Sequence, residues 1–338
     1  MIERYLNPEI SSIWDDQNKF NTWKLVQEKY VETLEELNIA ENGTAKKINQ
    51  SVVQKDEVYE QEEITNHDLA SFVDILQKKV GEGSNWIHYG LTSSDIVDSA
   101  NSILIQQSLD YVKDLVKDLL STLHDKAVKE KDTSIIGRTH GVYAEETFLG
   151  NIFGNWHLEV ARGLNRLENS KNNISYGKLS GPVGNHSVVT SEMEKITLDK
   201  LNLKPEQFAN QIVSRDRYAE VVSSLGILAS TYERIATNIR SYQRSEISEM
   251  FESFKDGQKG SSAMPHKKNP IGSERITGIA RIMRSYVSTS LENMVLWNER
   301  DISNSSVERI MLPDAFHLIS FMSIELNSIL KHLVINYE

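Results

Sequence analysis

The sequence predicts an all-α fold with an elongated bundle of long helices at its centre, and three observations predict it. Prolines stand only at positions 8, 182, 205, 265, 270 and 313, so residues 9–181 hold no helix breaker of that kind. Apolar residues recur every three or four positions from Leu109 through Val112, Leu115, Val116, Leu119 and Leu123 to Ala127, which is the period of one helical face. Val222, Leu225, Leu228, Tyr232, Ile235, Ile239 and Tyr242 repeat the pattern.

Residues 109–127 and 222–242 are therefore the first two bundle helices. A third is expected from about Ser273 to Leu296, and a fourth from Pro313, a favourable first-turn residue, to the end of the chain at Glu338. Only short pieces such as 133–136 and 174–179 read as strands. The last helix carries Leu318, Phe321, Met322, Leu326, Ile329, Leu330 and Leu333 on one stripe, and burying it is expected to need another subunit or sequence that this chain lacks. Three segments read as loops that end helices: Thr65-Asn66-His67-Asp68, the run from His88 to Asp95, and Gly137-Arg138-Thr139-His140-Gly141. Free backbone N–H groups at such places bind anions. Taken singly, Thr92-Ser93-Ser94-Asp95 is a helix N-cap and a lone histidine a hydrogen-bonded structural residue.

The 338 residues carry a net charge of −11, with 25% charged and 39% apolar side chains. That balance fits a soluble globular chain and argues against nucleic-acid or acidic-membrane binding, both of which rest on basic surfaces. No apolar run is long enough to span a bilayer, and Met1-Ile2-Glu3-Arg4-Tyr5 lacks the regions of a signal peptide. Cysteine is absent, which removes disulfides, thiolate metal sites and a cysteine nucleophile, and a cytoplasmic location is expected.

The most informative segment is Gly260-Ser261-Ser262-Ala263-Met264-Pro265-His266-Lys267-Lys268-Asn269-Pro270. Two hydroxyls, two lysines and an amide set between a glycine and two prolines suit a shaped anion-binding loop. Its order resembles the signature loop of the fumarase/aspartase superfamily. Together with Arg4-Tyr5, the segment from His88 to Ser93, and Arg138-Thr139-His140-Gly141, it resembles the adenylosuccinate lyase branch in particular, over essentially the whole chain.

The resemblance implies a fumarase/aspartase-like fold, with an N-terminal helical domain at 1–93, a central long-helix bundle at 94–338 bearing the signature loop at 258–271, and a small C-terminal helical domain that this chain lacks. It implies a homotetramer whose active sites are each shared by three subunits, and anti β-elimination of fumarate from a succinyl-bearing nucleotide with no metal or cofactor. Ser261 then takes the carbon proton, although the residues alone leave Ser262 equally open, and His140 protonates the leaving nitrogen. A free serine is too weak a base, so Lys267 and backbone donors must lower its pKa, with Asn269 donating to the carbanion's carboxylate. Glu274 matches the carboxylate that orients His140, and His67 the second active-site histidine.

By the same resemblance Thr92, Ser93 and Gln211 hold the succinyl carboxylates. Arg4 and Tyr5 clamp the phosphate with Arg300, Ser305 and Arg309, and Arg275 falls where some members place an arginine. Asn66, Asp68 and Thr139 complete the substrate-binding set. Asn66 stands where many members have arginine, and Tyr143 and Glu146 replace a usual histidine and proline. Arg215, Arg217, Glu308 and Asp314 read as structural, and Trp86, Trp156 and Trp297 as core. Two alternatives stay open: another fumarate-releasing lyase, such as a carboxymuconate cycloisomerase relative, or a non-catalytic oligomeric relative.

Overall fold

A computed structural model describes residues 1–254, 257–264 and 266–337; Pro265 and Glu338, both used in the sequence reading, lie outside the described residues. The chain is mostly helical. After a 3-10 turn at Glu3–Tyr5 come α1 (Pro8–Trp14), α2 (Asp16–Glu36), α3 (Thr44–Gln50), α4 (Lys55–Thr65) and α5 (Asp68–Val80). Then α6 (Ser93–Lys129), a hairpin of β1 (Ser134–Thr139) and β2 (Val142–Phe148), and α7 (Leu149–Ile174) follow. The remainder is β3 (Tyr176–Gly177), α8 (Ser191–Lys200), β4 (Lys204–Pro205), α9 (Arg215–Tyr242), β5 (Met250–Phe251), α10 (Ile271–Glu292), α11 (Ser303–Lys331) and β6 (Val334–Ile335). No helix among the described residues is long and apolar enough to cross a membrane.

Local chemistry sets the helix starts that matter for the site. Thr92 and Asp95 form a capping box at α6, with Thr92 N–H donating to Asp95 Oδ2 at 2.8 Å. His67 caps α5 through its ring. Two apolar cores follow from the stripes. One joins Phe20, Trp23, Tyr30 and Phe72 to Ile96 and Leu198. The other runs along α6, α7, α9, α10 and α11 through Leu109, Val116, Trp156, Leu225, Tyr232, Met283 and Phe316, each such side chain contributing about 1.5–3 kcal/mol on burial. At one end of this bundle Arg215 of α9 binds Asp98 of α6 at 2.6 Å and Glu308 of α11 at 2.8 Å, all three buried, in keeping with a structural role for Arg215 and Glu308.

Several expectations change. The fourth helix starts ten residues early, at Ser303, and Pro313 lies inside it. Asp301 Oδ1 accepts the N–H of Ser303 at 2.9 Å and starts the helix there, while buried Met311, Leu312, Ala315 and Phe316 hold it together across the proline. It ends at Lys331, and β6 pairs antiparallel with β5. Its apolar stripe needs no second subunit, because Leu318, Met322, Leu326 and Leu330 are buried by this chain's own bundle. The third helix stops at Glu292 rather than Leu296. Residues 137–141 do not end a helix. They form the end of a hairpin, pairing Arg138 with Tyr143 and Thr139 with Val142. Trp156 is core, but Trp86 is half-buried, its Nε1 donating to Glu41, and Trp297 is 79% exposed in the α10–α11 connection, where none of the described residues covers it.

Candidate active site

The first group of expected residues gathers at the amino-terminal end of α6. His67 Nδ1 accepts the N–H of Ala70 at 3.3 Å, so the neutral ring carries its proton on Nε2, which lies 3.4 Å from Ser93 Oγ. Next to it Arg309 Nη2 donates to Asp68 at 2.6 Å. Arg300 donates to Gln211 Oε1 at 3.1 Å, Asn304 Oδ1 at 3.2 Å and Ser94 Oγ at 3.4 Å. All three are neutral acceptors, so no carboxylate hydrogen-bonds this half-buried guanidinium among the described residues. Burial draws it below the usual guanidinium range in spite of Asp98 and Glu308, but it stays charged. Ser305 and Arg309 line a cavity of about 260 Å³ together with Asp68 and Asn101. Hydroxyls, imidazole and arginines so placed suit carboxylate and phosphate oxygens.

Beneath this cluster Asp95 accepts the N–H groups of Ser180 and Gly181 at 3.2 Å and the ammonium of buried Lys178, which ties the residue 178–181 loop to the Thr92–Ser93 turn. Lys178 was not legible as a supporting residue, since nothing in its own segment marks it. His88 sits in the same region, its ring joined to Gln27 at 3.0 Å; burial, with His67 nearby, pushes its pKa down to about 4 and keeps it neutral. The amino-terminal turn lies farther along α11. Tyr5 packs edge-on against Phe321 with centroids 5.0 Å apart, Arg275 pairs with Glu325 at 3.0 Å, and Arg4 and Asn66 are exposed.

The second group forms the signature loop at the far end of the bundle. Ser261 Oγ accepts the N–H of Met264 at 3.2 Å, and Asn269 Nδ2 donates to the carbonyl of Gly260 at 2.7 Å. Gly260 is required by close approach: a Cβ there would stand 2.0 Å from the carbonyl oxygen of Lys267. Glu252, almost fully buried, accepts the N–H groups of Gly272 and Ser273 at 3.1 and 2.7 Å and so caps α10, on which Glu274 follows. Asn269 thus braces the loop with one amide N–H, and the second is left for the substrate contact that the resemblance implies.

His140 occupies the tip of the β1–β2 hairpin, with φ of 57° beside Gly141 at 79°, the paired left-handed conformations of a tight two-residue turn. Thr139 and His140 are exposed. Among the described residues no hydrogen bond joins His140 to Glu274 or to Ser261. The bundle keeps the first group away from the hairpin: α6 has 37 residues, about 55 Å at 1.5 Å per residue, with Ser93 at one end and the hairpin's base just past the other.

Residues 13–284 match the family model described as Lyase. Over 339 residues the sequence is 42% identical to the adenylosuccinate lyase of Thermotoga maritima, covering 100% of this chain and 79% of that protein. The chain belongs to the adenylosuccinate lyase family. The adenylosuccinate lyase of Aquifex aeolicus is likewise 42% identical over 344 residues, covering 100% of this chain and 78% of that protein. The crystal structure of a fumarate lyase from Mesorhizobium sp. BNC1 superposes with a TM-score of 0.89 at 20% identity, over 100% of this chain and 78% of that one, so the two chains share a fold. As a member of the adenylosuccinate lyase family the chain is a lyase, and membership favours that branch over the other fumarate-releasing enzymes the sequence left open.

Proposed function

We propose that this chain splits adenylosuccinate into AMP and fumarate, and succinyl-aminoimidazole-carboxamide ribotide likewise, in a cytoplasmic homotetramer whose sites each draw on three copies. The residue-level reading is carried by the hydrogen bond from Met264 N–H to Ser261 Oγ. A donor already aimed at that oxygen stabilises the alkoxide a base must become. Lys267, in the same loop, has no ion-pair partner among the described residues and supplies the nearby cation.

Ser261 takes a proton from the succinyl carbon next to a carboxylate. The electron pair left behind spreads into that carboxylate, where Lys267 and Asn269 stabilise it, and then forms the double bond of fumarate as the C–N bond breaks. His140 gives its proton to the departing nitrogen from the opposite face, with Glu274 orienting its ring. Arg300, Arg309, Ser305 and the Arg4–Tyr5 turn hold the phosphate; Thr92, Ser93 and Gln211 hold the carboxylates, with His67 beside them and Asn66, Asp68, Thr139 and Arg275 at the periphery.

The length of α6 supports sharing between copies, since one chain cannot bring Ser93 and His140 to the same small molecule. Ser261→Ala should abolish the ultraviolet absorbance change that follows adenylosuccinate cleavage while leaving binding within about tenfold, roughly 1.4 kcal/mol. Surviving turnover would move the base to Ser262. Mixed tetramers of His140→Ala and Ser261→Ala protomers should regain part of the activity, and no recovery in confirmed mixtures would rule out shared sites.

A further inference from the structure

The hairpin that presents His140 has little of its own to hold it. Residues 139–146 are all exposed, and β2 buries none of its residues. Ile135 packs against the bundle core at the hairpin's base, and nearer the tip the long-range polar tether is Arg138, two positions before the histidine. Both terminal nitrogens of that guanidinium donate to the Glu249 carboxylate, at 2.7 and 2.6 Å, in a two-pronged geometry that a lysine cannot reproduce. The pair is mostly shielded, with side chains 13% and 25% exposed, and the Tyr143 ring lies 5.0 Å from the Arg138 guanidinium carbon.

Glu249 leads directly into β5, and the segment it opens also holds the signature loop. Glu252 caps α10 through Gly272 and Ser273. Gln243 accepts the N–H of Glu252 at 3.0 Å and donates to the carbonyl of Lys268 at 2.9 Å, closing the loop's stem on the same segment. The stem of the histidine hairpin and the stem of the serine loop therefore meet at residues 249–252.

We infer that Arg138 and Glu249 are positioning residues that hold the His140 hairpin in register with the signature loop of the same chain. The inference rests on the roles given above to His140 and Ser261. Under that reading the two loops of one chain serve different sites, so this ion pair also links neighbouring sites of the tetramer.

The test uses Glu249→Gln, Arg138→Lys and the exchanged pair Arg138→Glu with Glu249→Arg, each as purified tetramer. Both single variants should lose about tenfold or more in kcat, the scale of a misplaced catalytic group, with KM within threefold and an unchanged melting temperature. The exchanged pair should recover at least a third of the wild-type kcat. Hydrogen exchange across residues 139–148 should quicken in Glu249→Gln and slow again in the exchanged pair, a result that does not depend on which reaction is catalysed. Single variants with wild-type kcat and wild-type exchange would overturn the inference. A wild-type protein silent toward adenylosuccinate, or an active His140→Ala, would instead overturn the catalytic assignment, and exchange alone would then decide the tether.

Discussion

Arg309 of α11 reaches Asp68 at the first turn of α5 with a 2.6 Å hydrogen bond, joining residues far apart in sequence at the rim of the cluster around the start of α6. Asp68 engages one terminal nitrogen of the guanidinium and leaves the remaining donors free. Arg309 is 58% exposed in this pair, so its contribution to stability is small, at most about 1 kcal/mol. Asp68→Asn should accordingly leave urea unfolding almost unchanged while raising KM for adenylosuccinate by about threefold to tenfold through loss of a pre-oriented arginine. A large drop in stability with an unchanged KM would make the pair a structural link only.

His88 gives the folded chain a defined acid sensitivity. Its folded pKa is held down to about 4, against an ordinary value of 6.5, by burial and then by His67. Between those two values the unfolded chain binds a proton that the folded chain refuses, so stability is full above about pH 6.5 and falls as the pH drops toward 4, by about 3 kcal/mol at most. His88→Gln should flatten that part of the stability profile. Urea titrations at pH 7, 5.5 and 4.5 measure it, and an unaltered slope would place the acid sensitivity elsewhere.

Arg215 supplies the opposite case, a charged residue near the site whose loss should act on folding. Its guanidinium lies between the buried carboxylates of Asp98 and Glu308, which raise its pKa well above the usual range against the cost of burial. Arg215→Ala leaves both carboxylates without their cation, and about 3–5 kcal/mol of stability should be lost. The soluble fraction and its denaturation midpoint should both fall. A stable variant with altered KM would show that Arg215 belongs to the substrate cluster.

The long helices were legible because each stripe meets a core within its own chain, as Leu109, Val116 and Leu123 do in α6 and Leu225, Tyr232 and Ile239 in α9. The hairpin was not legible, because Val142–Phe148 has Glu145 and Glu146 at its centre and buries no residue, leaving no alternation to read. Pro313 misled because a first-turn proline and one tolerated by flanking core residues look alike in sequence. His67, Ser93 and Arg309 come together near the start of α6, but motif order does not reveal that α6 separates Ser93 from the hairpin of His140 by most of the bundle's length.

Gly260 offers the sharpest test of whether the shape of the signature loop, beyond its residue types, carries activity. The glycine is buried at the loop's base, where the backbone at Gly260 and that at Lys267 nearly touch. A methyl group would lie 2.0 Å from the Lys267 oxygen and 3.1 Å from its carbon, and backbone of this kind cannot yield as a flexible side chain can. Gly260→Ala must therefore spread the stem, breaking the Asn269 hydrogen bond to the Gly260 carbonyl and displacing Ser261 from the Met264 N–H. Most of the loop is exposed, so the melting temperature should change little, whereas kcat should fall by about a hundredfold, the effect of moving a catalytic group by around an ångström. Kinetics and thermal unfolding on the same preparation separate the two. Turnover within threefold of wild type would mean that the loop acquires its working shape only around substrate.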